Sequence, residues 1–145
     1  MPIVWGVHHA TRTVVASARG ELRLADIEHY LDGLAAAATL SYRKVFDLTQ
    51  GRLVLSKDEM LALGACIRRL ESRGPMGKVA VIATADEAYQ QALLLETFVV
   101  ADRPLKIFRD AEAAAAWLKV ELPASLALAG TRPFGKAPEA AARRD

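Results

Sequence analysis

The stretch "KVAVIA", Lys78–Ala83, is short, almost wholly apolar and set between two segments of helical periodicity. A strand with one wet face alternates polar and apolar residues, whereas a strand covered on both faces does not need to. Upstream, Met60, Leu63, Ile67 and Leu70 recur at helical spacing across Lys57–Ser72, and "RGP" at Arg73–Pro75 ends that helix. Downstream, a further helical segment runs from Asp86 to Ala101. A buried strand between two helices predicts a layered α/β domain with "KVAVIA" central in a parallel sheet.

The remaining segments fit that frame. Ile3–His9 and Thr13–Arg19 are β-rich runs joined by "HATR" and predict an opening hairpin. From Ala25 to Ala38, Ile27, Leu31, Leu34 and Ala38 line one helical face, with Gly33 a weak point. Tyr42–Leu48 predicts the third strand and Leu105–Phe108, after Pro104, the last. Asp110 is placed to cap a closing helix, "AEAAAAWL", that ends at Leu118. The pattern predicts a mostly parallel five-stranded sheet with an N-terminal hairpin and about four helices. One domain spans residues 1–119. Residues 120–145, with Pro123, Gly130, Pro133, Gly135 and Pro138, are expected to form a peripheral or partly disordered tail.

Composition excludes several classes of function. Nineteen basic and 17 acidic residues, mixed along the chain, give a net charge of +2 and no footprint for nucleic acid. Arg68, Arg69 and Arg73 fall late in a helix, where they complement its dipole. No apolar run approaches the roughly 18 residues of a membrane span, and "MPIVWGVHH" has no basic region ahead of its apolar residues. A soluble, cytoplasmic, non-membrane-spanning protein is expected. The single cysteine, Cys66, rules out an intrachain disulfide and a cysteine-built zinc cluster.

Catalytic patterns are absent: there is no GxSxG, P-loop or dinucleotide glycine fingerprint. His8 and His9 are adjacent on a strand and so point to opposite faces, which argues against a shared metal ion. Asp47, at the predicted end of the third strand, lacks the further carboxylates between Trp5 and Arg12 that a receiver-type metal site requires. Asp47 and Thr49 read as bend residues that satisfy backbone donors and line a polar rim. No catalytic residue, metal or cofactor is therefore expected.

Two features remain. Ser56 with Glu59 forms S-x-x-E ahead of an apolar helix face, the capping-box arrangement. A phosphate on Ser56 would meet the positive end of the helix, but also Asp58 and Glu59. "ALLLETFVVA" carries more apolar residues than one helical face holds, and Leu94 and Phe98 form an i, i+4 pair away from the sheet-facing side. This pair is expected to be buried beneath the last helix or the tail, to form a dimer surface, or to wall an apolar ligand site.

The "KVFDLTQ" strand and the late "PLKIFRDAEAAAAWL", taken with the order of elements, resemble the STAS and SpoIIAA-like group, typified by anti-sigma-factor antagonists. The resemblance covers about residues 1–119 and implies a β/α superhelix whose outline Sec14-like lipid-binding domains share. In antagonist members a serine at the start of the helix after the third strand is phosphorylated by a partner kinase. Ser56, nine residues beyond Asp47, holds the comparable place, although Leu55, Lys57 and Asp58 depart from the phosphorylated pattern. The function expected is a non-enzymatic regulatory module that binds a protein partner around the Asp47–Glu59 edge, and the surplus apolar residues of "ALLLETFVVA" predict a homodimer. The alternative is a small binding protein for a lipid or other apolar molecule.

Overall fold

Two strands open the chain as a hairpin. β1 (Ile3–His8) and β2 (Thr13–Leu22) pair antiparallel, from Ile3 opposite Ala18 to His8 opposite Thr13. There follow α1 (Leu24–Ala36), β3 (Arg43–Leu53), α2 (Lys57–Glu71), β4 (Val79–Ile82), α3 (Asp86–Phe98), β5 (Leu105–Phe108) and α4 (Ala111–Leu118). The computed structural model describes residues 2–99 and 105–121. The predicted tail beyond residue 121 and the last residues of the helix expected to reach Ala101 lie outside them.

The five strands stand in the order β1-β2-β3-β4-β5, and β2 through β5 are parallel. Each helical crossover therefore steps to the next strand in the same direction. Right-handed crossovers that always step the same way leave their helices on one face of the sheet. One cluster accordingly joins Leu31 and Leu34 of α1, Leu63 and Ile67 of α2, and Ala88 and Ala92 of α3 to Val14, Ala16 and Leu48 of the sheet. The opposite face packs Val15, Val45, Ala80 and Ile82 beneath Ala114 and Leu118 of α4.

"KVAVIA" is covered on both faces, as predicted, but it lies between β3 and β5 and not at the middle of the sheet. That place belongs to β3, which extends five residues past the predicted end at Leu48 to Leu53. The polar residues Thr49–Arg52 suggested a bend. They stay extended because β2 also runs on, pairing Gly20 with Gly51 and Leu22 with Leu53 after a register shift between Ser17 and Arg19. Gly51 permits this approach: a β-carbon there would lie 3.2 Å from the Ala18 carbonyl oxygen. An exposed ion pair between Glu21 and Arg52, at 2.5 Å, spans the extension.

Local chemistry fixes the helix ends. Asp110 Oδ1 accepts from the Ala113 amide at 2.7 Å, as the sequence predicts. α4 stops where Lys119 takes a left-handed φ of 61°. Arg43 Nη1 donates to the Leu118 carbonyl at 3.1 Å and ties the end of α4 to the start of β3. Gly33 in α1 sits beneath the indole of Trp5, to which an added β-carbon would come within 3.0 Å.

Candidate functional site

Between the sheet and the three-helix layer lies a cavity of about 100 Å³. A single water needs only about 10–15 Å³ of such space. Its origin is a shortage of side-chain volume. Within α3 the fully buried residue that lines it is an alanine, Ala92. The facing strand β4 offers only the short side chains of Val79 and Val81. α1 contributes Ile27, Tyr30 and Leu31, α2 contributes Leu63 and Ile67, and β5 contributes Leu105 and Ile107. At the α1 side the wall is aromatic: Tyr30 meets Phe46 edge-on at 5.4 Å, and Trp5, which does not line the cavity, meets Tyr30 edge-on at 6.0 Å.

Among the described lining residues one carries a charge, Lys44. Along β3, Lys44, Phe46 and Leu48 alternate with Val45 and Asp47, so the lysine takes a core-facing position. It is 2% exposed. Its Nζ donates to the carbonyls of Leu40 at 2.5 Å and Tyr42 at 2.8 Å, in the segment just ahead of β3. A buried ammonium is tolerated only where such acceptors replace its water. The sequence signal for Lys44 was its parity with Phe46 and Leu48, which puts a cation in an apolar row. Nothing local announced the cavity, because its walls come from residues spread between Ile27 and Ile107.

The predicted polar edge is not one site. Asp47 lies within β3 and is buried, and its Oδ1 accepts from the Thr49 amide at 2.9 Å. This is the turn-type bond expected of it, made within a strand. The Thr49 hydroxyl is buried without a hydrogen-bond partner among the described residues. From Asp47 the chain continues extended to Leu53, roughly 20 Å of strand, before Ser56 caps α2. Asp47 and Thr49 are thus separated from Ser56 and Asp58, and only the latter two are exposed.

At the cap, the Ser56 hydroxyl accepts from the Glu59 amide at 3.1 Å. The Glu59 carboxylate accepts from the Ser56 amide at 2.9 Å. The capping box is complete. On α3, Leu94 is 47% exposed and Phe98 half-buried, while Leu93 and Leu95 pack against the core. Leu94 therefore belongs to the outer surface and not to the cavity, which Leu95 lines instead.

The other candidates stand apart. His8 and His9 are both exposed, and His9 Nδ1 shares a hydrogen bond of 2.9 Å with the Tyr42 hydroxyl. No cluster of three or more metal-ligating side chains occurs among the described residues. Cys66 is half-buried, and burial pushes its thiol above the usual range, against the opposing charge of Arg69. A raised thiol is a poor nucleophile at neutral pH. No described helix is long and apolar enough to cross a membrane.

No family model matches the sequence and no curated protein is significantly similar to it. The solved structures do contain a match: an uncharacterized protein from the DUF3478 family with a SpoIIAA-like fold, from Shewanella loihica PV-4. The two chains superpose with a TM-score of 0.53 at 20% identity, over 80% of this chain and 93% of that one. The fold is SpoIIAA-like. The resemblance first carried by "KVFDLTQ" and "PLKIFRDAEAAAAWL" thus holds at the level of architecture: an antiparallel hairpin, a sheet otherwise parallel, and four helices.

Proposed function

We propose that the domain is a non-enzymatic binding module that takes a small apolar ligand in the cavity between its sheet and α1–α3. The observation that carries this reading is the cavity wall, apolar at every described lining residue except Lys44 and the hydroxyl of Tyr30. Protein interiors are packed to crystal density, so a void of this size in a small domain forgoes dispersion contacts that an occupant would restore. An engineered apolar cavity of about 150 Å³ is known to stay dry and to bind benzene. The volume here suits a single ring or a short aliphatic chain. Native mass spectrometry of protein purified from its own host tests the reading. A copurifying small molecule, lost when the cavity is filled by mutation, supports it; a bare protein that also ignores added hydrocarbons overturns it.

A second reading, a regulatory module acting through protein contacts, draws on the exposed leucines of two adjacent helices. Leu61 of α2 is 49% exposed and Leu94 of α3 is 47% exposed. Each lies one turn ahead of the point where Gly64 meets the Phe98 carbonyl. On this reading two copies meet through Leu94, and Ser56, exposed at the head of α2, is open to a kinase. Sedimentation of Leu94→Glu tests the contact. A dimeric wild type with a folded, monomeric variant favours it, and a monomeric wild type removes it.

A further inference from the structure

The sheet ends in two edges, and they are built differently. β5 is four residues long, carries Lys106 and follows Pro104 in the sequence. Short length, lysine and proline are the usual guards against another strand adding to an edge. β1, at the other edge, is six residues long, uncharged from Ile3 to Val7, and paired with β2 without interruption from Ile3 to His8. The Arg19 amide donates to the Pro2 carbonyl at 2.8 Å. Bonded pairs alternate along an antiparallel ladder, so Val4, Gly6 and His8 also bond β2, and the N–H and C=O groups of Ile3, Trp5 and Val7 point out along the open edge. None of these outward groups has a hydrogen-bond partner among the described residues. We infer that β1 is a docking edge for a second copy of this chain, whose own β1 pairs with it antiparallel about a two-fold axis at Trp5.

The occupant follows from the strand's own symmetry. About a two-fold axis at Trp5, Ile3 faces the second copy's Val7 and Trp5 faces its counterpart, so every outward group is paired, two bonds to a pair. On the face of the sheet turned away from α1–α3, Val4, 37% exposed, comes opposite the second copy's Gly6. Glycine weakens a strand interior and commonly marks the close approach of another backbone. On the helical face, Ile3 and Trp5 border a hollow of about 130 Å³ that Asp26, His29 and Gly33 of α1 help to enclose. The second copy's Val7 falls beside Ile3 and enters that hollow. Charge permits like to meet like: from Ile3 to Val7 no side chain is ionisable, and His8 comes opposite Pro2. The contact does not involve the cavity. It also lies at the far end of the sheet from α3, which packs on β3 and β5.

Sedimentation of the full chain from about 1 μM to about 1 mM, the span in which small interfaces associate, should show a monomer giving way to a dimer. Amide hydrogen exchange at the two ends of that span locates the contact. The Trp5 and Val7 amides should exchange at least about tenfold more slowly in the dimer, while those of Val4 and Gly6, bonded to β2 in either state, should change by less than about twofold. Val7→Pro removes an outward donor from both copies and none from the β1–β2 ladder, a change that an edge strand tolerates. It should weaken the dimer by about thirtyfold or more. Should that variant not fold by circular dichroism, Val4→Lys, at an exposed position, takes its place and should weaken the dimer likewise. A monomer at every concentration overturns the inference. So does a dimer in which the Trp5 and Val7 amides exchange freely, which would pass the contact to another surface such as Leu94. A monomer in which those amides are protected at every dilution has its edge covered from within the chain, with the same consequence. A folded edge variant that dimerises as tightly as the wild type overturns it as well.

Discussion

Gly64 of α2 packs directly against the backbone of Phe98 at the end of α3, so closely that a β-carbon on Gly64 would stand 2.7 Å from the Phe98 carbonyl oxygen. This contact sets the spacing of the two helices that roof the cavity. Alanine is the better helix former by about 1 kcal/mol, yet the obstacle is backbone and cannot swing aside. Overpacking of this kind costs about 1–3 kcal/mol. Gly64→Ala is expected to lower stability by about 1 kcal/mol net, read from denaturant midpoints. A stabilised variant would mean the helices separate freely, and that their spacing is not set here.

Ser56 gives a second test. Its hydroxyl and the Glu59 carboxylate each accept the other residue's amide. Ser56→Ala should cost about 1 kcal/mol, whereas Ser56→Asp should change little because Asp caps as well as Ser. Chemical denaturation of the three proteins measures both. If Ser56→Asp left stability intact but abolished capture of a protein partner, the regulatory reading would gain over the ligand reading.

The capping box could be read from sequence because all of it lies within four consecutive residues, Ser56–Glu59. The same holds for Asp110 and for the helical spacing of Met60, Leu63, Ile67 and Leu70, each buried as the periodicity requires. The run from Thr49 to Arg52 misled because its extended conformation depends on Gly20 and Glu21 of a neighbouring strand. Lys44 and the cavity were hidden for the same kind of reason. Whether alanine at 92 leaves a gap depends on what shares the space, and Val79 and Val81 come to it only once the sheet is built.

The end of α1 carries a correctable strain. Ala38 adopts a left-handed φ of 60°. The turn is held by the Thr39 amide, which donates to the Leu34 carbonyl at 3.0 Å. The left-handed region disfavours every residue with a β-carbon, and glycine is the usual occupant after a helix. Ala38 is exposed, so nothing is lost by removing its methyl. Ala38→Gly is expected to raise stability by about 0.5–1 kcal/mol, seen as a higher thermal midpoint. A lower midpoint would show that the greater freedom of glycine in the unfolded chain outweighs the relief.

Filling the cavity separates a true void from a well-packed interior. Ala92 faces it from α3 and is 3% exposed. Ala92→Leu adds three carbons to the side chain at a point where the opposing residues, Val79 and Val81, are short. Cavity volume costs about 24 cal/mol per Å³ in core-truncation series. Filling half of about 100 Å³ would therefore recover about 1 kcal/mol. In an interior already packed to normal density the same change would instead cost about 1–3 kcal/mol through forced rotamers. The sign of the stability change is the readout, and we expect a gain. The same variant should lose any small apolar ligand that the wild type holds, because the leucine takes its place. A variant that is destabilised yet still binds would place the ligand site outside this layer, and would move attention to the exposed leucines of α2 and α3.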